Sequence, residues 1–218
     1  MPLPPTLYGG GLWAGLRVGI LGGSFNPAHD GHRHISLEAL KLLRLDAVWW
    51  LVSPQNPLKP TNGMAGLAER VEGARRIARH PRIVVTDIER RLGTRYTADT
   101  LTALSGRFPQ TRFVWLMGAD NLLQLPEWDR WTVIFHTVPV AIFDRPSYSL
   151  RALGGKASQR FARRRVTADR IGRLADMAPP AWAFLHTRLH PASATALRGR
   201  SDDDADKAHS STNARSRP

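Results

Sequence analysis

Six short apolar runs, rich in β-forming residues, recur along this sequence. Several are nearly continuous rather than alternating, which is typical of parallel strands that are buried on both faces. The stretches between them carry apolar residues at helical spacing. This alternation predicts an α/β fold, an open parallel sheet with flanking helices and right-handed crossovers. The predicted strands are Arg17–Leu21, Val48–Val52, Arg82–Thr86, Arg112–Met117, Val138–Phe143 and Ala181–His186.

Helical spacing is clearest in three of the intervening segments. Apolar residues follow an i, i+4, i+7, i+8 pattern from Ile35 to Leu43, and residues 97–104 place Ala98 and Leu101 on one face. Further helices are predicted near residues 156–164 and 168–175. In the third segment the apolar face consists of Leu67, Val71, Ala74 and Ala78, and the arginines that the spacing places largely off this face are Arg70, Arg75, Arg76 and Arg79.

The length of 218 residues allows one domain with a sizeable core. We expect a flexible lead-in over residues 1–16, a folded domain over 17–200 and a disordered tail over 201–218, which lacks apolar residues able to anchor a helix. There is no run of about 18 apolar residues and no signal-peptide pattern. The sequence has no cysteine, so we expect a cytoplasmic protein without disulfides, thiolate metal sites or a membrane partner.

The charge balance favours an anionic partner. Lysine and arginine number 31 against 18 acidic residues, a formal net charge of +13. A basic nucleic-acid-binding domain is one interpretation. The arginines are mostly scattered, however, with a dense cluster at Arg160–Arg165, and we interpret them chiefly as a solvated surface with no nucleic-acid partner. An enzyme that handles polyphosphates also tolerates a positive field around its cleft.

A glycine-rich turn, residues 22–32, follows the first predicted strand and opens the first predicted helix. Small residues let the backbone approach a phosphate, and the helix N-terminus presents unpaired N–H groups. His29 and His32 add donors at the same place. They could instead cap or pack against the helix start, or form a metal pair, although no third protein ligand is evident. Phosphate recognition is the hypothesis that we favour.

The motif Gly-Ser-Phe-Asn-Pro-x-His-x-Gly-His resembles the nucleotidyltransferase superfamily with a His-x-Gly-His signature and a Rossmann-like fold. Within it, the chain resembles the bacterial nicotinate-mononucleotide adenylyltransferase family. The resemblance implies transfer of AMP from ATP to nicotinate mononucleotide, with Mg²⁺, giving deamido-NAD and pyrophosphate without a covalent enzyme intermediate. It also implies that His29 and His32 contact the ATP phosphates, and that the ATP-binding turn contains Gly23, Ser24, Phe25, Asn26 and Gly31.

A second motif, Arg95-Tyr96-Thr97-x-x-Thr-Leu, opens another predicted helix. Taken alone, it predicts Thr97 as the N-cap, without the usual Glu or Gln partner three residues later. The motif resembles the Ser-Tyr-Thr-x-x-Thr-Leu element of the same family, with Arg95 where serine is commoner. The resemblance implies that Tyr96 and Thr97 belong to the substrate pocket, where the threonine hydroxyl and nearby amides receive the pyridine carboxylate.

A third motif, Gly118-x-Asp120 followed by Pro126-x-Trp128, comes after the fourth predicted strand. Gly118 allows a ligand to approach closely, and Asp120 can accept hydrogen bonds from ribose hydroxyls. Trp128 could be a core residue. The family resemblance implies instead that Trp128 stacks on the nicotinate ring and that Gly118 and Asp120 belong to the ATP site.

Two further loops complete the resemblance, which covers roughly residues 17–198. Asn56 and Lys59 lie in a proline-rich loop after the second strand, which taken alone could equally be a rigid surface loop. The resemblance implies an Asn-Pro element beside the nucleotide site, and we expect Asn56 and Lys59 to bind the substrate, Lys59 through a phosphate. Ser193, Thr195 and Arg198 match the family pattern Ile-Ser-x-Thr-x-Ile-Arg, which grips the triphosphate. Arg198 can donate two parallel hydrogen bonds to phosphate oxygens, and we expect it to be catalytic. The alternative interpretation of Arg198 is an arginine on a surface helix.

Two related enzyme classes share the His-x-Gly-His turn. The main alternative is the pantetheine-phosphate adenylyltransferase class, because it shares this turn. Its members are typically shorter, however, and would not need the motifs around Thr97 and Trp128. Class I aminoacyl-tRNA synthetases need an anticodon-binding part for which this chain is too short. The preference for an acid or an amide on the pyridine ring, and the oligomeric state, stay open.

Overall fold

A computed structural model of the chain describes residues 10–54, 63–145 and 148–187. Six parallel strands form one sheet in the order β3-β2-β1-β4-β5-β6. The strands are β1 (Arg17–Gly23), β2 (Ala47–Val52), β3 (Ile83–Thr86), β4 (Arg112–Gly118), β5 (Val140–Phe143) and β6 (Trp182–Leu185). The predicted α/β fold class is confirmed, and each predicted strand is present.

The order of the strands places a switch point at the centre of the sheet. β1 pairs on one side with β2 and on the other with β4, and Leu21 lies level with Leu116. Each of those two strands ends two residues later, at Gly23 and Gly118. Ligands of open α/β sheets bind beyond the carboxyl ends of strands at such a point. The loops that follow β1 and β4 therefore meet where a ligand is expected.

Helices cover both faces of the sheet. They are α1 (Asp30–Leu42), α2 (Leu67–Ala78), α3 (Ile88–Leu92), α4 (Thr97–Arg107), α5 (Ala119–Gln124), α6 (Trp131–Thr137), α7 (Ser149–Leu153) and α8 (Lys156–Arg160), with 3-10 helices at Gly10–Trp13, Leu125–Glu127, Ala162–Arg164 and Ala168–Asp176. The helix predicted near 168–175 is present as the last of these 3-10 helices. Within the described ranges, no helix is long and apolar enough to cross a membrane.

Two hydrophobic clusters form the core, one on each face of the sheet. In one of them the indole of Trp49 packs edge-on against Trp13, with ring centroids 4.8 Å apart. Trp13 is buried, and its carbonyl accepts a hydrogen bond from the Thr111 hydroxyl at 2.9 Å. Trp13 therefore packs into the core from within the stretch predicted as a lead-in over residues 1–16, because it finds an aromatic partner in β2.

Candidate active site

The glycine-rich turn joins β1 to α1 beyond the end of the central strand. Phe25 has a φ of 48° and a buried side chain, and its ring stacks on Trp50 with centroids 5.1 Å apart. A left-handed backbone at a phenylalanine is uncommon, and here the ring's burial in the core offsets the strain. Anchoring the ring beneath the turn leaves the turn's backbone, from Gly23 to Asn26, at the carboxyl edge of the sheet.

The side chains of His29 and His32 both accept hydrogen bonds from backbone amides at the start of α1. His29 is the N-cap residue, and its Nδ1 accepts a hydrogen bond from the Gly31 amide at 3.1 Å. The His29 amide in turn donates to Nδ1 of His32 at 3.2 Å. A ring nitrogen that accepts from an amide carries no proton, so in each neutral imidazole the N–H is at Nε2. The two rings are in contact, with centroids 3.9 Å apart and planes tilted by 38°.

An acidic side chain follows the end of β4, the strand that pairs with β1. Asp120, in the first turn of α5, binds Nη1 of Arg145 through Oδ2 at 2.7 Å. Its other oxygen, Oδ1, is buried and has no hydrogen-bond partner among the described residues. A Cβ on Gly118 would lie 2.4 Å from that oxygen. Buried polar atoms are rarely left unpaired, so Oδ1 is an acceptor well suited to a ligand hydroxyl, and only glycine at 118 leaves room for it.

A second group of predicted residues lies beyond β3. Tyr96 and Thr97 are half-buried at the start of α4. The N-cap is Tyr96 rather than the predicted Thr97, which is already the first helical residue, and Tyr96 makes no side-chain cap. The predicted cap is wrong because Thr94 and Thr100 share a hydrogen bond of 2.8 Å between their hydroxyls, which orders the approach to the helix without a threonine at the cap.

An ion pair brings the loop that contains Trp128 to the start of α4. Trp128 is half-buried and follows the 3-10 helix Leu125–Glu127. Two residues later, Arg130 donates from Nη2 to Oδ2 of Asp99, in the first turn of α4, at 2.7 Å. Arg130 also binds Asp129 at 2.7 Å. The predicted base-binding side chains of Thr97 and Trp128 are thus held on segments that are tied together.

Glu89 is a buried acid at the centre of this region that sequence reasoning missed. Burial raises the pKa of Glu89 to about 7, although hydrogen bonds from Thr100 and Ser53 act to lower it. The Thr100 hydroxyl donates to Oε1 at 3.2 Å. Ser53 follows β2, and its amide donates to the Gly23 carbonyl at 2.9 Å. Glu89 therefore connects the start of α4 to the loop after β2.

Arg70 is buried as well, although the helical spacing of α2 predicts an exposed position. The spacing places it off the apolar face of its helix, but it is 4% exposed. Its guanidinium donates hydrogen bonds to backbone carbonyls of the turn itself, of the loop after β2 and of the loop before α2. The signal in the sequence is its position four residues before Ala74 and eight before Ala78, both of which are buried. That row of the helix faces the protein.

Several predicted site residues lie outside the part of the chain that the structure describes. They are Asn56, Lys59, Ser193, Thr195 and Arg198. Within the described ranges, no group of three or more His, Cys, Asp or Glu side chains could hold a metal ion. The described groups at the end of β4 and the start of α1 are N–H donors and the Asp120 carboxylate, an acceptor, which suit phosphate and ribose.

Comparison with known proteins agrees with this geometry. The cytidylyltransferase-like family matches residues 20–200. A probable nicotinate-nucleotide adenylyltransferase of Cereibacter sphaeroides is 59% identical over 181 residues, which cover 83% of this chain and 96% of that protein. The protein of the same description from Parvibaculum lavamentivorans is 54% identical over 189 residues, 87% of this chain and 94% of the relative.

A solved structure supports the same fold at low identity. The nicotinic acid mononucleotide adenylyltransferase of Plasmodium falciparum, complexed with NaAD, superposes with a TM-score of 0.63 at 15% identity, covering 84% of this chain and 83% of that one. This likeness concerns the fold, whereas the family rests on the match over residues 20–200 and on relatives above 50% identity. The chain belongs to the cytidylyltransferase-like family and, within it, to the nicotinate-nucleotide adenylyltransferases.

Proposed function

We propose that this chain is a nicotinate-nucleotide adenylyltransferase, which transfers AMP from ATP to nicotinate mononucleotide. A 5′-phosphate oxygen of the mononucleotide attacks the α-phosphorus of ATP. The new P–O bond completes deamido-NAD, and the bond to the β-phosphate breaks to release pyrophosphate. The observation that carries the proposal is the reciprocal capping of His29 and His32, in which both Nδ1 atoms accept backbone N–H groups, so that each neutral ring carries its proton on Nε2. Relatives at 54–59% identity that have this description support it.

The reaction requires little covalent chemistry from the protein. Nucleotidyl transfer depends on holding two reactants in line and stabilising charge on the phosphorus oxygens. Imidazole rings that are already held in place through Nδ1 need no reorganisation when the charge develops. We assign this charge stabilisation to His29 and His32. The backbone of the turn over Gly23–Asn26 and Gly31 is proposed to surround the triphosphate. Arg198, Ser193 and Thr195 are proposed to hold the triphosphate from the other side.

The remaining residues are assigned either to ATP or to the mononucleotide. We propose that Oδ1 of Asp120 accepts a ribose hydroxyl of ATP beside Gly118, since this oxygen is buried without a partner in the described part of the chain. Tyr96, Thr97 and Trp128 are proposed to receive the nicotinate ring and its carboxylate. Asn56 and Lys59 are proposed to contact the same substrate. A tryptophan face supplies stacking, and a helix start suits a carboxylate.

Magnesium enters the proposal with ATP. Mg²⁺ binds phosphate oxygens and retains much of its water, so it needs few protein ligands. The described residues contain no acidic cluster for it, and we therefore propose that it arrives as the ATP complex and is held by the phosphates. It would supply neutralising charge on the triphosphate. We place the reaction in the cytoplasm, and no nucleic acid takes part in it.

Pyrophosphate release tests the function. The purified chain is given ATP and Mg²⁺ with nicotinate mononucleotide, nicotinamide mononucleotide or phosphopantetheine, and the dinucleotide product is identified by mass. We expect a strong preference for the nicotinate substrate. Equal use of the amide would keep the reaction but overturn the carboxylate role of Thr97. Activity with phosphopantetheine alone would overturn the acceptor, and no pyrophosphate with any substrate would overturn the proposal.

A further inference from the structure

Arg95 places a positive charge beside two of the residues assigned to the base of the mononucleotide. It directly precedes Tyr96 and Thr97, and it is the position at which their motif departs from the family pattern. Arg95 is exposed, and its Cζ lies over the ring of Tyr96, 5.7 Å from the centroid. The face of an aromatic ring attracts a guanidinium at this distance. The contact therefore favours a position of the charge close to the start of α4.

The acids nearest to Arg95 in the sequence do not cancel its charge. Asp99, in the first turn of α4, binds Nη2 of Arg130 at 2.7 Å, and Asp87 binds two arginines of α3. Glu89 is buried, and burial raises its pKa to about 7, so it carries less than a full negative charge near neutral pH. No acid of the described ranges forms an ion pair with Arg95. Its charge therefore adds to the positive end of the α4 dipole.

Nicotinate and nicotinamide mononucleotides differ by one charge on the pyridine ring. The carboxylate is a negatively charged acceptor, whereas the carboxamide is neutral and carries two N–H donors. In both compounds the ring nitrogen is positive, so the substituted ring is neutral overall in the acid and positive in the amide. A guanidinium near the substituent is attracted to the carboxylate and repelled by the positive ring of the amide. A charge at this place therefore distinguishes two substrates of almost the same shape.

We propose that Arg95 is a specificity-determining residue: its guanidinium, placed over Tyr96, favours an acceptor nucleotide with a carboxylate on the pyridine ring over one with a carboxamide. This inference rests on the proposed function and concerns the choice of its acceptor. Because Arg95 is exposed, the attraction is comparable to that of a surface ion pair, and salt weakens it. We expect it to contribute about fivefold to the preference, which corresponds to about 1 kcal/mol.

Two substitutions at Arg95 test this role. Arg95→Ser removes the charge, and Arg95→Lys keeps it without the planar guanidinium. Arg76→Ser, at an exposed position of α2, removes an equal charge elsewhere and is the matched control. The ratio of kcat/KM for nicotinate mononucleotide to that for nicotinamide mononucleotide is measured with ATP and Mg²⁺ at low and at high salt. We expect Arg95→Ser to lower this ratio about fivefold at low salt and less than about twofold at high salt, whereas Arg95→Lys retains most of it and Arg76→Ser leaves it unchanged.

The possible results separate a charge effect from other roles of Arg95. An unchanged ratio in Arg95→Ser would overturn the inference. An equal fall of both kcat/KM values would overturn it too, because the two mononucleotides share the 5′-phosphate and differ only at the ring. A fall that salt does not reduce, or that Arg95→Lys shows in full, would mean that charge is not the cause.

Two further results have a fixed meaning. Should the amide be turned over too slowly to measure, its inhibition constant against nicotinate mononucleotide takes the place of its kcat/KM, and the same change in the ratio is required. An unmodified chain that forms no dinucleotide from ATP and nicotinate mononucleotide would overturn the proposed function itself. Deamido-NAD formation with an unchanged ratio in Arg95→Ser would overturn the role of Arg95 alone.

Discussion

His29 and His32 cap the same helix start reciprocally: the Gly31 amide donates to Nδ1 of His29, and the His29 amide donates to Nδ1 of His32. This is the geometry of a capping box, in which an acceptor three residues into the helix reaches back to the N-cap amide. Here imidazoles replace the usual oxygen side chains. Because each ring accepts a backbone amide at Nδ1, its other nitrogen, Nε2, is the one that can donate a hydrogen bond to phosphate. Capping and phosphate binding therefore use different nitrogens of each histidine.

Capping and catalysis can be separated by substitution. Asn at position 29 and Gln at position 32 retain an acceptor for the backbone amide but lack the Nε2–H. We expect His29→Asn and His32→Gln to lower kcat by about a hundredfold or more, in the range of a lost electrostatic donor, with a melting temperature close to that of the unmodified chain. Turnover with nicotinate mononucleotide and thermal unfolding are measured on the same preparations.

The alanine variant provides the control for the cap. His32→Ala removes the acceptor as well, and loss of a helix cap is worth about 1 kcal/mol. For a chain of this size that corresponds to a fall of about 2–4 °C in melting temperature. Its turnover should match that of His32→Gln. If His32→Gln retained near-normal turnover while His32→Ala lost stability, His32 would be a capping residue with no part in the reaction.

Gly118 provides a test of the ATP site. An added Cβ would lie 2.4 Å from Oδ1 of Asp120 and 3.4 Å from Cδ of Arg145. The Asp120 carboxylate must therefore move, and the acceptor assigned to the ribose is lost. We expect Gly118→Ala to raise KM for ATP about tenfold, because a lost hydrogen bond to a buried group is worth about 1–3 kcal/mol. Steady-state kinetics with each substrate varied in turn measure this.

Gly106 is the matched position for that experiment. It lies in the last turn of α4, and a Cβ there would meet no atom within 4 Å. Alanine is favoured over glycine within a helix by up to about 1 kcal/mol. Gly106→Ala should therefore leave both KM values unchanged without destabilising the chain. A Gly118→Ala variant that behaved in the same way would remove Asp120 from the ATP site.

The sheet could be predicted from the sequence because its strands are buried on both faces and so form continuous apolar runs. β2 shows this best, since all six of its residues are buried. Arg70 and Glu89 could not be predicted in the same way. Each is a charged residue in a segment whose other charges are solvated, and what buries each one is a set of partners from distant loops. Periodicity within one helix carries no information about such partners.

The same limit explains the helix start at Tyr96. The sequence predicts a threonine cap, because threonine oxygens favour that position. In the structure the hydroxyl of Thr100 is bonded instead to Thr94 and to Glu89. The partner of each hydroxyl depends on where the chain before α4 runs, and the motif itself does not specify that path. A local motif therefore locates the helix without determining its first residue.

Glu89 predicts how stability depends on pH. Its pKa is raised from 4.5 to about 7, chiefly by burial. Between those values the folded chain binds a proton that the unfolded chain has released, so stability falls as pH rises from about 4.5 to about 7 and is constant for this group above that range. Because a tenfold change in proton affinity corresponds to about 1.4 kcal/mol, the full loss of stability across this range is about 3 kcal/mol.

Glu89→Gln isolates this contribution, since the amide keeps an oxygen to accept from Thr100 and cannot ionise. We expect the variant to gain about 3 kcal/mol over the unmodified chain between pH 5 and pH 8, measured by denaturant unfolding at several pH values. Glu72→Gln, at an exposed position paired with Arg75, should leave the pH profile unchanged. A Glu89→Gln profile parallel to that of the unmodified chain would mean that Glu89 is ionised throughout. The carboxylate would then join the loop after β2 to α4 as an anion, with its hydrogen bonds from Ser53 and Thr100 offsetting the effect of burial.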